Sequence, residues 1–271
     1  MALPSLACLG LLLGASPKLP PPSQRFPVVY EEPTSPAMGP TAARMKEKRA
    51  LETVAEMLAF LKLPRKLTLK AASCGESNAW FDSETEVVTF CYEMADEFIK
   101  AASADHRFGL TEEQATAAPF LFIMFHETAH AIFTILDVPV LGREEDAADQ
   151  VATLVAIRLG GNFAERMLRG AALMYHRDSA ARKVGEDDFA DVHGLDRQRY
   201  YNVLCIAWGS DPKRFAWAQD EGHLPADRAE GCADEFAQVA KAVRRLIGEK
   251  AVDQATAKKV KQDAAKMKFG R

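Results

Sequence analysis

His126-Glu127-Thr128-Ala129-His130 sets two imidazoles four residues apart with a carboxylate beside the first. On an α-helix, residues four apart share one face, one turn from each other. Both rings can then reach one metal ion through neutral nitrogens. Glu127 is turned about 100° from His126. Its carboxylate can lean toward a water on the metal without binding the metal itself. Zinc lowers the pKa of a bound water, and a nearby carboxylate takes the released proton as that water attacks a carbonyl. The pattern therefore predicts zinc-assisted hydrolysis, with His126 and His130 as ligands and Glu127 as general base. The competing reading is a pair of core histidines beside a salt-bridged glutamate. The preceding run, Phe120-Leu121-Phe122-Ile123-Met124-Phe125, is wholly apolar. Polar side chains in such a buried helix are costly without partners, and a metal supplies them.

A catalytic zinc needs a third protein ligand. Gly142 to Asp149 offers Glu144, Glu145, Asp146 and Asp149. At this point the pattern resembles the thermolysin-like zinc peptidases, which use two His and one Glu. The likeness lies in HETAH followed by a helix bearing Glu-x-x-Ala-Asp. It implies Glu145 as the third ligand and Asp149 as the hydrogen-bond partner of His126. Residues four apart share a face, and a carboxylate behind a ligating imidazole fixes its orientation. Glu144 is the rival ligand, but the residue four positions on is Ala148, which cannot serve. Asn78-Ala79-Trp80-Phe81 is similar to the Asn-Ala-aromatic segment with which those enzymes hold a substrate backbone like an added strand. The resemblance implies that Asn78 and Ala79 bind substrate; an exposed Asn in a structural turn is the alternative.

The whole pattern also resembles a family of bacterial zinc metallopeptidases carried as a domain of unknown function. Its markers here are Asn78-Ala79, Cys91-Tyr92-Glu93, HETAH, the stretch from Pro139 to Asp149, the stretch from His193 to Cys205, and Gly209-Ser210-Asp211-Pro212. The likeness runs roughly from Val54 to Leu246. Attack on a carbonyl builds an oxyanion, which a positively polarised side chain stabilises. His193, in Asp191-Val192-His193-Gly194, is the first candidate for that role. Tyr200 and Tyr201 are alternatives, and Arg197 or Arg199 could hold a substrate carboxylate. Each has a plainer reading, as a partner of Asp191 or Asp196 or as a core tyrosine. His106, His176 and His223 lack supporting context and are expected on the surface.

These residues need elements to hold them. The motif helix is expected from Pro119 to Leu136, with Pro119 opening it after a short capped turn at Thr111. A loop over 137–142 leads into a helix from Glu144 to Leu159, stopped by Gly160-Gly161. Upstream, apolar spacing predicts one amphipathic helix from Thr41 to Leu61. Strands are expected at 66–70, 79–81 and 86–92, with turn chemistry at 82–85, and a helix follows from Met94 to Ser103. Further helices are expected at 162–174, 196–208 and 228–248. The predicted fold class is α+β: mostly helical, zincin-like, with a small antiparallel sheet before the metal-binding helix.

Composition bounds the rest. The chain has 271 residues, 48% hydrophobic and 27% charged, with a formal net charge of -4. It reads as a folded globular protein with no basic field for nucleic acid. Residues 1–16 read as a signal peptide: too short to span a membrane, with small residues at Gly14-Ala15-Ser16, although no basic residue precedes Lys18. A Pro-rich linker is expected over 17–40, the metallopeptidase domain over 41–250, and a charged tail over 251–271, read as a solvated helix or a frayed end. Cys74, Cys91, Cys205 and Cys232 form an even set, and Cys74–Cys91 with Cys205–Cys232 is the simplest of three pairings. Four buried thiols are the alternative. The expected protein is thus a periplasmic or secreted zinc metallopeptidase with a peptide or protein substrate. It has no nucleic-acid partner and no stable membrane span after signal removal. Two other functions stay open: a non-catalytic metal- or partner-binding protein of the same fold, and a hydrolase of non-peptide amides.

Overall fold

Strands β1 (Val28–Tyr30), β2 (Thr68–Ala72), β3 (Ala79–Asp82) and β4 (Val87–Cys91) form one sheet in the order β1-β2-β4-β3. The computed structural model describes residues 22–103, 107–181 and 183–266; the apolar leader expected over 1–16, and His106, lie outside them. β1 with β2 and β2 with β4 run parallel, and only β3 with β4 is antiparallel. The sheet is therefore mixed, not antiparallel as expected. Only the β3–β4 pair is a hairpin, closed by Asp82, whose carboxylate accepts from the N–H groups of Glu84 and Thr85. The parallel pairs join segments far apart in sequence, which local alternation cannot reveal. β1 itself lies within the stretch read as a linker. Its neighbour Phe26 is buried, and the Tyr30 hydroxyl donates to Glu52 and accepts from the Leu51 N–H.

The sheet order leaves β3 at an edge and buries β4 from Val88 to Cys91. Helices α1 (Gly39–Glu47) and α2 (Ala50–Leu58) replace the single helix expected over 41–61. Arg49 separates them in a left-handed conformation with φ 52°. The apolar stripe of α2, Leu51, Val54, Met57 and Leu58, is buried. Helix α3 (Tyr92–Ala102) follows β4 directly.

Helix α4 (Glu112–Ile135) carries the motif and runs unbroken through Pro119. Thr111 caps it: its hydroxyl accepts from the Gln114 N–H, and the Gln114 side chain accepts from the Thr111 N–H. A proline inside a helix costs about 3 kcal/mol. Packing outweighs that cost here, for Ala118, Pro119, Phe120, Leu121 and Phe122 are all buried. Opposite them lies Gly170 on helix α6 (Gly161–Ala181). A Cβ at Gly170 would stand 2.3 Å from the Ala118 Cβ and 3.1 Å from the Pro119 Cδ. The missing side chain lets the two helices close on each other. α4 is long and apolar enough to cross a membrane, but it is an interior helix, packed between the sheet and its neighbouring helices.

Helix α5 (Glu144–Leu159) has the expected bounds, with three acids in its first turn and Gly160 at its end. Helix α7 (Asp196–Ser210) packs on α6 and on α8 (Cys232–Val243). The helix expected over 228–248 is interrupted and ends in a π turn at Arg244–Gly248. The terminal stretch is helical, as one of the two expectations had it, and largely exposed, with one face docked on the body. Helix α9 (Gln254–Lys266) buries Val260 and Ala264, and the Asp253 N–H donates to the Phe60 carbonyl. The fold is α+β, mostly helical, as expected. Both anticipated disulfides are formed, Cys74–Cys91 and Cys205–Cys232.

Candidate metal centre

α4 and α5 bring three donors to one point. His126 Nε2 lies 3.0 Å from Glu145 Oε2 and 3.2 Å from His130 Nε2, and His130 Nε2 lies 3.4 Å from Glu145 Oε2. The three ligand atoms all lie within 4.8 Å of one another. Two imidazole nitrogens and a carboxylate oxygen form a donor set that could hold a divalent ion with three protein ligands. Cys74, Cys91 and Glu93 also cluster, but the thiols are spent in a disulfide. Glu93 instead accepts from the N–H groups of Cys74 and Gly75.

Behind the donors the two histidines are held differently. His126 is only 2% exposed. Its Nδ1 meets Asp149 Oδ1 at 2.8 Å. Tyr175 donates to the same oxygen at 2.8 Å, and Arg199 grips the carboxylate through Nε and Nη2 at 2.8 and 2.9 Å. Burial pushes the Asp149 carboxyl up, but the Arg199 charge and the His126 hydrogen bond outweigh it and hold the group well below the carboxylate range. Burial pushes the Tyr175 phenol well above its ordinary value. His130 Nδ1 meets Glu144 Oε1 at 2.7 Å, and the Glu144 side chain is 53% exposed. Glu144 is thus a neighbour of the outer nitrogen and not a member of the donor triad. Burial pulls the His130 imidazole down, yet hydrogen bonds to Glu145 and Glu144 raise it to about 9. A metal ion competes with protons for these nitrogens, so binding releases them.

Glu127 is 7% exposed. Burial pushes its carboxyl up, the neighbouring imidazoles pull it down, and the Phe81 backbone N–H donates to it. That bond follows from register. The Cys91 N–H donates to the Asn78 carbonyl, so the backbone groups of Ala79 and Phe81 turn outward from the edge strand. Asn78 and Ala79 line a cavity of about 360 Å³ with His126, Glu127, Tyr175 and His193. Asn78 accepts from the Ala79 N–H and donates to Glu76.

His193 Nε2 lies 3.1 Å from Glu145 Oε2, and its Nδ1 lies 2.9 Å from Asp191 Oδ1. Its side chain is 46% exposed, and it stands outside the donor triad. The hydrogen bond to Glu145 raises its pKa. The other candidates go elsewhere. Tyr200 is buried against Phe108. Arg197 donates to the Tyr201 hydroxyl and pairs with His176, and neither Arg197 nor Tyr201 lines the cleft. Arg199 is committed to Asp149 rather than to Asp191 or Asp196. His223 is stacked on Phe108 at 4.3 Å instead of lying on the surface. Tyr175 and Asp178 line the cleft unforeseen. The helix carrying them was expected to stop at Met174, and no local motif marks either residue.

A sequence profile of the DUF4344 family, described as a putative metallopeptidase, matches residues 30–247. No curated protein and no solved structure matches the chain.

Proposed function

Since the chain belongs to this metallopeptidase family, we propose that it is an exported zinc peptidase that hydrolyses peptide bonds with Glu127 as its base. One observation carries the reading. His126, whose donor atom converges with those of His130 and Glu145, lines the same cleft as Glu127. A purely structural metal site has no need of that fourth group, and such sites are usually closed and rich in cysteine.

Zinc held by those three residues would acidify a water and polarise the substrate carbonyl. Glu127 takes the proton of the attacking water. Its raised pKa then suits it to pass the proton to the leaving amine. Asp149 holds the proton of His126 on Nδ1, which leaves Nε2 as the ligand. His193, at the rim, donates to the oxygen on which negative charge develops. The outward backbone of β3 at Ala79, with the Asn78 side chain beside it, aligns a peptide as an added strand, which favours a peptide over other amides. Two disulfides suit an oxidising compartment, and with the apolar stretch over 1–16 they support a periplasmic or secreted protein.

Elemental analysis combined with cleavage of a mixed peptide library tests this reading. The expected result is about one zinc per chain in both the natural protein and Glu127→Gln, with cleavage reduced about 10²- to 10⁴-fold in the variant. Metal-replete natural protein that cleaves no peptide would sink it.

A further inference from the structure

Three helices each turn one face to the cleft beside the metal centre. α3 presents Met94, Glu97 and Phe98; α4 presents Ile123, His126 and Glu127; α6 presents Met174, Tyr175 and Asp178. Each set follows helical spacing, so apolar and polar residues of one face look into the same space. Met94, Phe98, Ile123 and Met174 make an apolar lining, while Glu97, Asp178 and Asp196 add carboxylates to it. A second cavity of about 430 Å³ shares Asp178, His193, Asp196 and Arg199 with the first, and is lined also by Asp188 and Asp191.

Asp178 is the telling member. It is largely buried, and among the described residues it makes no hydrogen bond or ion pair. The nearby cations are engaged: Arg199 with Asp149, and Arg177 with Glu97 at 3.8 Å. Burial pushes the Asp178 carboxyl up to about 6, Asp196 and Glu97 add to the push, and Arg177 and Arg199 oppose it. A buried carboxylate without a partner is costly, and a cation entering the cleft relieves that cost. A second metal ion is the poorer occupant. No three of these carboxylates converge as the His126, His130 and Glu145 donors do. A long side chain with an apolar stem and a charged head matches both the lining and the carboxylates.

We propose that the cleft selects peptides with a lysine or arginine beside the bond to be cut, the stem lying on Met94, Phe98, Ile123 and Met174 and the charged head meeting Asp178. The position beside a cleaved bond rests on the peptidase reading; the preference of the cleft for a cation does not.

The test uses paired peptides that differ only in lysine against norleucine, offered to the zinc-loaded full chain. Lysine should raise kcat/KM by about 10- to 100-fold over norleucine. The ratio should collapse toward one in Asp178→Asn and persist in Asp178→Glu. Glu97→Gln, which removes a more exposed carboxylate, should lower it less. A binding arm reads the same preference without turnover, by fluorescence anisotropy of both peptides on zinc-loaded Glu127→Gln. Cleavage with no basic preference, or equal affinity for the paired peptides, overturns the proposal and leaves the peptidase reading standing. Tighter binding of the lysine peptide with no peptide cleaved by the natural protein does the reverse.

Discussion

His126 and His130 sit one turn apart on one helix, yet their outer nitrogens meet different surroundings. His126 faces a carboxylate sealed in the core, gripped by residues from two further helices. His130 faces Glu144, half open to solvent at the start of α5. The inner half of the centre is thereby part of the fold. Tyr175 from α6 and Arg199 from α7 meet at the Asp149 carboxylate of α5, so the orientation of His126 and the helix packing share the same contacts. On the outer half, water screens the ion pair and can replace either partner. The contrast teaches that two residues of one motif can differ widely in what they cost the protein to lose.

Asp149→Ala should show the largest effect, since it strands the Arg199 charge in the core. We expect about 3–5 kcal/mol less stability in chemical denaturation and zinc affinity lower by about 10- to 100-fold in a chelator competition. An Asp149→Ala protein no weaker than Glu144→Gln in both measurements would erase the comparison.

A second buried carboxylate sharpens it. Asp178 is largely rather than fully buried and lacks the partners of Asp149, and its pKa moves the opposite way. A raised folded value means that the folded state holds the proton more tightly than the unfolded chain does. The cost of Asp178 is therefore absent below about pH 4 and complete above about pH 6. Asp178→Asn should stabilise the protein by about 2 kcal/mol at pH 7.5, after discount for partial exposure, and by almost nothing at pH 4. Urea melts at the two pH values check this, and a pH-independent difference would contradict it. Glu144→Gln should do least: under about 1 kcal/mol in stability and only a few-fold in zinc affinity, read in the same two assays.

The sequence made the donors legible because helical spacing is a local property. A spacing of four residues from His126 to His130, and of four from Glu145 to Asp149, specifies shared faces before any tertiary contact is known. The start of α5 and its end at Gly160 were equally local, and so was the Thr111 cap. Tyr175 and Arg199 were not, because their shared partner lies 26 and 50 residues away. Asp178 matters for a bond it lacks, and no motif encodes an absence. β1 was hidden because three residues are too few to show alternation, and its pairing with β2 crosses two helices. Pro119 misled for the opposite reason. Its local rule is sound, but burial along α4 and the close approach of Gly170 override it.

Gly170 has no polar atom and touches no ligand, yet it sets the clearance between α4 and α6. α4 holds both histidines; α6 holds Tyr175, about one and a half turns beyond the glycine. Two gears mesh only at one shaft separation, and here a hydrogen atom defines it. The hydroxyl of Tyr175 reaches Asp149 because the helices are allowed to touch where Gly170 meets Ala118. Part of the candidate metal centre's tuning is thus written at a position that any survey of its chemical groups would pass over.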